Sequence, residues 1–205
     1  MTRRRMLEIA VAASVLLLLL AVFLVRPTAH RTSAPAPVLF ERASGAPPDF
    51  GGTAYQSRTA VAPDSAHALV LYPVEFEERA DLYLMDRARG TGYRLVLADS
   101  SHAEDTPKFA GWLDPERAWV IVGYQFGTVA PGGDLYAFDP ATGRAALLWA
   151  SADSAQTQAV GFTPPDQVRL QVFEPNMTNP RDSTAVLPPG ALADALQSLG
   201  PPPLP

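Results

Sequence analysis

The sequence predicts an all-β domain preceded by one N-terminal transmembrane helix. The domain is expected to hold about three four-stranded units, arranged as an incomplete propeller-like fold or as a sandwich. Two observations lead to this: an uncharged apolar run from Ile9 to Val25, and short apolar segments that recur at a spacing of 50 residues. A fixed period of that length, with several short strands in each unit, is typical of propeller blades.

The N-terminal apolar run has the length of a membrane-spanning helix. Arg3–Arg5 precede it, and Arg26 and Pro27 close it. Its 17 residues would span roughly 26 Å as a helix, close to the bilayer's hydrocarbon core of about 30 Å. No polar stripe interrupts it, as a soluble core helix would require. The predicted anchor residues include Ile9, Leu16, Leu20 and Val25.

Cleaved export signals are the alternatives to an uncleaved anchor. The best small-residue cleavage positions, Ala34 and Ala36, are each followed by proline, which blocks such sites. The segment Thr2–Glu8 resembles a twin-arginine signal, but Leu16–Leu20 make the run more hydrophobic than such signals usually are. A lipoprotein signal is excluded because the chain has no cysteine to acylate. A retained anchor is therefore favoured.

Basic residues predict the orientation and location of the chain. Three arginines precede the helix and two, Arg26 and Arg31, follow it, so the positive-inside rule places the N-terminus in the cytoplasm. Lys108 is the one lysine among 16 basic residues, a bias that suggests a GC-rich bacterial genome. We therefore expect a single-pass protein of the bacterial inner membrane with a periplasmic C-terminal domain.

Charge and cysteine content exclude several function classes. After residue 31 the chain has 11 basic and 20 acidic residues, which repels phosphate backbones and argues against nucleic-acid binding. The same charge argues against docking on anionic lipid beyond the anchor. Without cysteine there is no disulfide framework, thiolate metal site or cysteine nucleophile.

Composition divides the chain into five segments. They are a basic cytoplasmic start (1–8), the transmembrane helix (9–25), a linker that could contain a short strand over 38–42 (26–52), a β-repeat domain (53–189), and a short helix with a proline-rich tail (190–205).

The β-repeat domain contains similar units. Apolar strands follow short turns at three positions 50 residues apart, and the first two units continue into Asp81-Leu-Tyr-Leu-Met-Asp86 and Asp134-Leu-Tyr-Ala-Phe-Asp139. Both units then continue through a predicted Thr-Gly turn, Thr91-Gly92 or Thr142-Gly143, into a further strand. This order of elements resembles the TolB-type β-propeller repeat family over about residues 59–187. The resemblance implies propeller blades and a groove that could receive a ligand.

The repeats depart from that pattern in two ways. Ser65 and Pro115 stand where such repeats usually place a glycine, and the third unit has no Asp-Leu-Tyr. Closed propellers have four to eight blades, whereas this chain supplies at most three. Either the strand Val38–Arg42 completes the last unit, with the sheets packed as a sandwich or open fan, or another protein supplies the missing contacts.

No residue pattern indicates catalysis, a cofactor or a metal. His30, His67 and His102 are scattered without a zinc-binding interval. The acidic run from Glu75 to Asp81 lacks the spacing of a calcium loop and favours a solvated hairpin tip. No nucleophile elbow is present, and nothing selects a pair of carboxylates for glycoside hydrolysis. The sequence therefore predicts no catalytic, cofactor-binding or metal-binding residue.

Aromatic residues of the second unit carry the one binding prediction. Trp112 and Trp119 are expected in the core. Tyr124 and Phe126 lead into the glycine-containing loop Gln125–Gly133 and are predicted to contact a partner. The repeated aspartates Asp81, Asp86, Asp134 and Asp139 are expected to cap turns by accepting backbone N–H groups.

The function expected from these features is that of a non-catalytic structural or interaction subunit of a larger membrane complex. Its partners would be other protein subunits and, through the helix, the lipid bilayer. An energy-transducing complex, respiratory or photosynthetic, is one such setting. The alternatives are a membrane-tethered sensor or ligand-binding module with TolB-like repeats, and a hydrolase whose site no motif reveals.

Overall fold

The described part of the protein is built from three antiparallel sheets and one short helix, so the all-β prediction is confirmed. The computed structural model describes residues 36–50, 56–74, 78–98, 104–125, 131–151, 157–173 and 179–201. The strands are β1 (Phe40–Ala43), β2 (Arg58–Val61), β3 (His67–Tyr72), β4 (Asp81–Asp86), β5 (Thr91–Leu97), β6 (Asp105–Trp112), β7 (Ala118–Tyr124), β8 (Asp134–Phe138), β9 (Ala145–Trp149), β10 (Thr157–Thr163), β11 (Gln167–Val172) and β12 (Arg181–Val186); the helix is α1 (Ala191–Leu199).

Each sheet is a meander in which consecutive strands are neighbours. The first sheet has the order β1-β5-β4-β3-β2, the second β6-β7-β8-β9, and the third β10-β11-β12. Short connections join the strands, and antiparallel pairing then follows from the chain reversal at each turn. β1 alone departs from chain order, because it pairs with the outer strand β5 through Phe40 opposite Leu97.

Aspartates cap several turns between these strands. Of the four predicted caps, Asp86 and Asp139 are confirmed, whereas Asp81 accepts from the Arg94 side chain and Asp134 from the N–H of Ser151 on a neighbouring segment. Asp64 Oδ1 accepts the N–H of Ala66 at 2.9 Å, and Asp114 Oδ1 accepts the N–H of Glu116 at 2.8 Å. Asp139 Oδ1 does the same for Ala141 at 2.8 Å. These bonds satisfy backbone donors that the reversing chain leaves free, which fixes where the next strand starts.

Two apolar clusters hold the sheets together, and the second sheet contributes to both. Between the first and second sheets, the rings of Phe40 and Phe138 lie 5.4 Å apart. Between the second sheet, the third sheet and α1, Ile121, Val168 and Leu199 are buried together. Each large side chain buried in this way contributes about 1.5–3 kcal/mol.

The prediction that a strand over Val38–Arg42 completes the last unit is wrong. The observed strand β1 belongs to the first sheet, because Phe40 is 1% exposed and packs on the ring of Phe138. The N–H groups of Leu39 and Phe40 both donate to the carbonyl of Gly143. The third sheet therefore has three strands, and the described residues form three sheets that do not close into a propeller.

The predicted membrane anchor lies outside the described residues. This anchor comprises the predicted residues Ile9, Leu16, Leu20 and Val25. Within the described ranges, no helix is both long enough and apolar enough to cross a membrane.

Candidate functional site

The inner edges of the three sheets meet at a groove of about 440 Å³. β2, β6 and β10 are the first strands of their meanders, and each lies at the edge of its sheet. β6 contacts both β2 and β10. We call this space the central groove. The side chains that define it are Arg58 from β2, Phe109 from β6, Trp119 from β7, Phe162 from β10 and Arg169 from β11.

Hydrogen bonds between the sheets fix the walls of the central groove. Trp112 Nε1 donates to the carbonyl of Ala60 at 2.9 Å, which ties β6 to β2. The N–H of Gly132 donates to the buried amide oxygen of Gln158 at 3.0 Å, which ties the second sheet to β10. Because these contacts join different sheets, the relative positions of the groove residues are set by the fold and not by one flexible loop.

Arg58 forms one cationic wall of the central groove. Its guanidinium carbon lies 4.8 Å from the centre of the Phe109 ring, within the range of a cation–π contact. Nη1 donates to the carbonyl of Lys108 at 3.3 Å. The side chain is thus oriented by an aromatic face and one backbone acceptor while remaining exposed to solvent.

Arg169 forms the second cationic wall. Nη2 donates to the carbonyl of Val160 at 3.2 Å. The side chain lies over Gly161: a Cβ at that position would be 3.2 Å from Nε and 3.4 Å from Nη2. The absence of a side chain at Gly161 is what lets the guanidinium lie flat against β10.

Both guanidiniums retain free hydrogen-bonding capacity. Each offers five N–H donors, and one nitrogen of each is bonded to a backbone carbonyl. Within the described part of the chain, neither Arg58 nor Arg169 has a carboxylate partner. Two guanidiniums that no described carboxylate neutralises therefore line the same groove of an acidic domain.

Aromatic rings form the floor between these two arginines. The Trp119 and Phe162 rings meet edge to face, with centroids 6.0 Å apart and planes at 81°. Trp119 can lie across β6 because its cross-strand partner is Gly111, where a Cβ would overlap the indole. Apolar faces beside cationic edges suit a flat ligand that carries negative charge.

Bulges lie in both strands beside the central groove. The β6–β7 register shifts between Pro107 and Phe109, and the β10–β11 register shifts between Ala159 and Gly161. A bulge re-aims the side chains that follow it and is common next to functional sites. Here the shifts precede Phe109 and Phe162, two of the aromatic residues that line the groove.

Small and apolar residues complete the described lining of the central groove. Among the described residues that line the central groove there is no carboxylate and no histidine; the remaining members are Ala110, Val160, Gly161 and Thr163. A general acid–base pair would need such groups within hydrogen-bond reach of a substrate.

Two ionisable side chains of the second sheet have pKa values shifted by burial. Burial lowers the pKa of Lys108, whose Nζ donates to the carbonyl of Gln125 at 3.3 Å. Burial also raises the pKa of Tyr136 to about 12, with a further contribution from the charge of Asp134. Both groups therefore keep their neutral forms more readily than free side chains do.

Two other concave regions are present in the described residues. One, of about 130 Å³, lies between the first two sheets and includes His67, Trp112 and Asp139. The other, of about 490 Å³, is an apolar groove beside Val186 and Leu192 of the third sheet and α1. Neither combines free charged donors with aromatic faces as the central groove does.

Of the two predicted binding residues, Tyr124 is not among the described residues that line the central groove. Tyr124 ends β7 and is 39% exposed, while Phe126 lies outside the described residues. Trp112 is half-buried against the core as predicted, but Trp119 packs against the core with one face and lines the groove with the other. In the described ranges no group of three or more potential metal ligands occurs; Glu75, His30 and His102 lie outside them.

Sequence reasoning missed Arg58 and Arg169. One signal was available: in β11, Gln167 and Arg169 alternate with the buried Val168 and Leu170, which marks a strand with one polar face. Nothing local, however, says that this polar face meets Arg58 from another sheet.

Comparisons with known proteins show the fold. A family model described as "Domain of unknown function (DUF4652)" matches residues 77–175. The crystal structure of a "putative conserved lipoprotein" from Clostridium novyi NT is similar, with a TM-score of 0.60 and 18% identity. The likeness covers 73% of this chain and 96% of that chain. No curated protein matches the chain.

The resemblance to the TolB-type repeat family is therefore wrong. The matching family model is a different one, and the similar structure is described as a conserved lipoprotein. The physical reason is that the repeated Asp-Leu-Tyr segments are the third strands of antiparallel meanders, β4 and β8, and Asp86 and Asp139 close the turns after them.

Proposed function

We propose that the protein is a non-catalytic binding module of the bacterial envelope, and that the central groove is its binding site. The single observation behind the proposal is the convergence of β2, β6 and β10, which gathers three aromatic rings and two guanidiniums without a described carboxylate partner around about 440 Å³. Ligand sites typically have this size and combine apolar walls with a few polar groups.

The location belongs to the same proposal. The run Ile9–Val25 would hold the chain as a single-pass protein of the inner membrane, N-terminus in the cytoplasm and β domain in the periplasm. The similar Clostridium novyi protein is described as a lipoprotein. Because this chain has no cysteine to acylate, a helix would replace the lipid in keeping a related fold at a membrane.

Site-specific photo-crosslinking in cells tests this proposal. A photoreactive amino acid at Thr163, which is exposed and lines the central groove, should form an adduct with the bound ligand or partner. The matched control is the same substitution at Leu147, which is 52% exposed on β9, the strand of the second sheet furthest from the groove. A groove position that gives no adduct above the control would contradict the proposal.

A structural subunit of a larger membrane complex, such as a respiratory or photosynthetic one, is the second candidate. Its support is the exposed ring of Tyr124 together with the exposed side chain of Val186 on the outer strand β12. Purification in mild detergent followed by mass spectrometry tests it, since a subunit would retain partners in fixed ratio. A protein recovered alone would count against this candidate and leave the groove proposal standing.

A further inference from the structure

The central groove has the chemistry to recognise one class of ligand. We propose that it binds a small organic anion, a carboxylate or phosphate joined to a flat apolar group, held between Arg58 and Arg169. This inference rests on the proposed function, because it names the ligand class of the same groove.

The two arginines argue for an anion. Both side chains line the groove and, within the described residues, neither is neutralised by a carboxylate. A guanidinium presents a planar fork of donors that matches the oxygens of a carboxylate or phosphate. The arginines come from different sheets, so one anionic group between them would receive donors from two directions.

The aromatic floor argues for an apolar portion on that anion. The Phe109, Trp119 and Phe162 side chains line the same groove as the arginines, and Trp119 and Phe162 meet edge to face. An inorganic ion would leave these surfaces in contact with water. A ligand with one ring would cover them while its charged group reaches a guanidinium.

The size and charge of the domain argue against a polyanion. A space of about 440 Å³ suits a small molecule. The surrounding domain carries 20 acidic residues against 11 basic ones after residue 31, so a nucleic acid or an extended anionic surface would be repelled beyond the groove.

Calorimetric titration of the full-length protein in a neutral detergent tests the inference. The probes are benzoate and phenyl phosphate. Benzyl alcohol is the control that has a ring but no charge, and inorganic phosphate is the control that has charge but no ring. We expect at least one aromatic anion to bind saturably, and we expect both control compounds to bind at least about tenfold more weakly. Equal binding of benzyl alcohol, or no binding of either aromatic anion, would overturn the inference.

Variants assign the binding to the groove. Arg58→Gln and Arg169→Gln should each weaken the aromatic anion about tenfold, whereas Arg144→Gln, at an exposed position on the second sheet, should leave it unchanged. Gly161→Ala keeps Arg169 but crowds its guanidinium, and should also weaken binding. Thermal unfolding of each variant checks that it is folded. Unchanged affinity in folded Arg58→Gln and Arg169→Gln proteins would overturn the inference.

The two proposals fail in different ways. If Thr163 crosslinks to a ligand in cells while the aromatic anions do not bind, the groove is a binding site and its ligand class is wrongly assigned. If the groove position gives no adduct and the anions do not bind, both proposals fail.

Discussion

Arg117 and Asp139 form a buried ion pair, with Nη1 3.6 Å from Oδ2 and side chains 7% and 1% exposed. Arg117 follows the turn between β6 and β7, and Asp139 follows β8, so the pair joins two turns at one end of the second sheet. Nη2 of Arg117 also donates to the carbonyl of Gly200, just beyond α1. The pair therefore fixes the end of the chain's last helix to the central sheet.

Removing the cation from this pair should be strongly destabilising. Arg117→Met leaves the buried carboxylate of Asp139 without its counter-charge, which costs about 3–5 kcal/mol. The matched control is Arg94→Gln, which breaks a pair with Asp81 of 3.1 Å whose side chains are 44% and 28% exposed. It should cost at most about 1 kcal/mol. Urea unfolding followed by circular dichroism measures both, and equal losses would show that burial does not decide the effect.

Gly143 should not tolerate a side chain. It has φ +71°, and its Cβ would overlap the carbonyl oxygen of Phe40. Gly143→Ala combines the left-handed strain of about 1 kcal/mol with a backbone clash that must push β1 away, so we expect a loss above about 2 kcal/mol. Gly90→Ala, with φ +64° and open space around the added methyl, isolates the strain alone. A Gly143→Ala loss no larger than that of Gly90→Ala would contradict the close approach.

Phe40 should contribute most of the attachment of β1. Phe40→Ala removes a ring that is 1% exposed and packed on Phe138, a change that typically costs about 3–5 kcal/mol. Val38→Ala, at a position 48% exposed, should change stability by less than about 0.5 kcal/mol. Thermal unfolding of the two variants compares them directly. A small loss for Phe40→Ala would mean that β1 is not an integral strand of the first sheet.

Tyr136 should titrate late and make stability fall at high pH. Burial first, and then the charge of Asp134, raise its pKa to about 12, whereas an unfolded tyrosine ionises near 10. The folded state therefore disfavours the phenolate. This contribution to stability is complete below about pH 10 and is lost as the pH rises through about 12.

Ultraviolet absorbance of the phenolate measures this titration. The difference between wild type and Tyr136→Phe isolates the one tyrosine and should show a midpoint near 12. The variant should also lose less stability than the wild type between about pH 10 and 12. A difference titration centred at the unfolded value would contradict the burial of Tyr136.

Local chemistry explains why the sequence predicted the strands well. Asp64 and Asp114 accept N–H groups two residues ahead, so the start of β3 and β7 could be read from a few neighbouring residues. The Thr91-Gly92 pair was predicted as a turn but begins β5, because Gly90 is the residue with positive φ. Such errors are small, since both interpretations place a hairpin at the same position.

The groove could not be predicted because it depends on contacts between sheets. Arg58 and Arg169 belong to the first and third sheets and come together only when both pack on the second. Trp119 was expected in the core because its strand is apolar, yet the bulges and Gly111 leave its ring partly open to the groove. The pattern of residues along one strand contains no information about either of these contacts.

Fluorine NMR of the protein labelled with fluorotryptophan tests the central claim most directly. The chain has three tryptophans, of which Trp119 lines the groove while Trp149 belongs to β9 at the far edge of the second sheet. Trp119→Phe assigns the groove signal. Titration with the aromatic anion should shift the Trp119 resonance in a saturable way and leave that of Trp149 in place. A Trp119 resonance that does not move at concentrations where calorimetry shows saturation would place the ligand elsewhere and contradict the account.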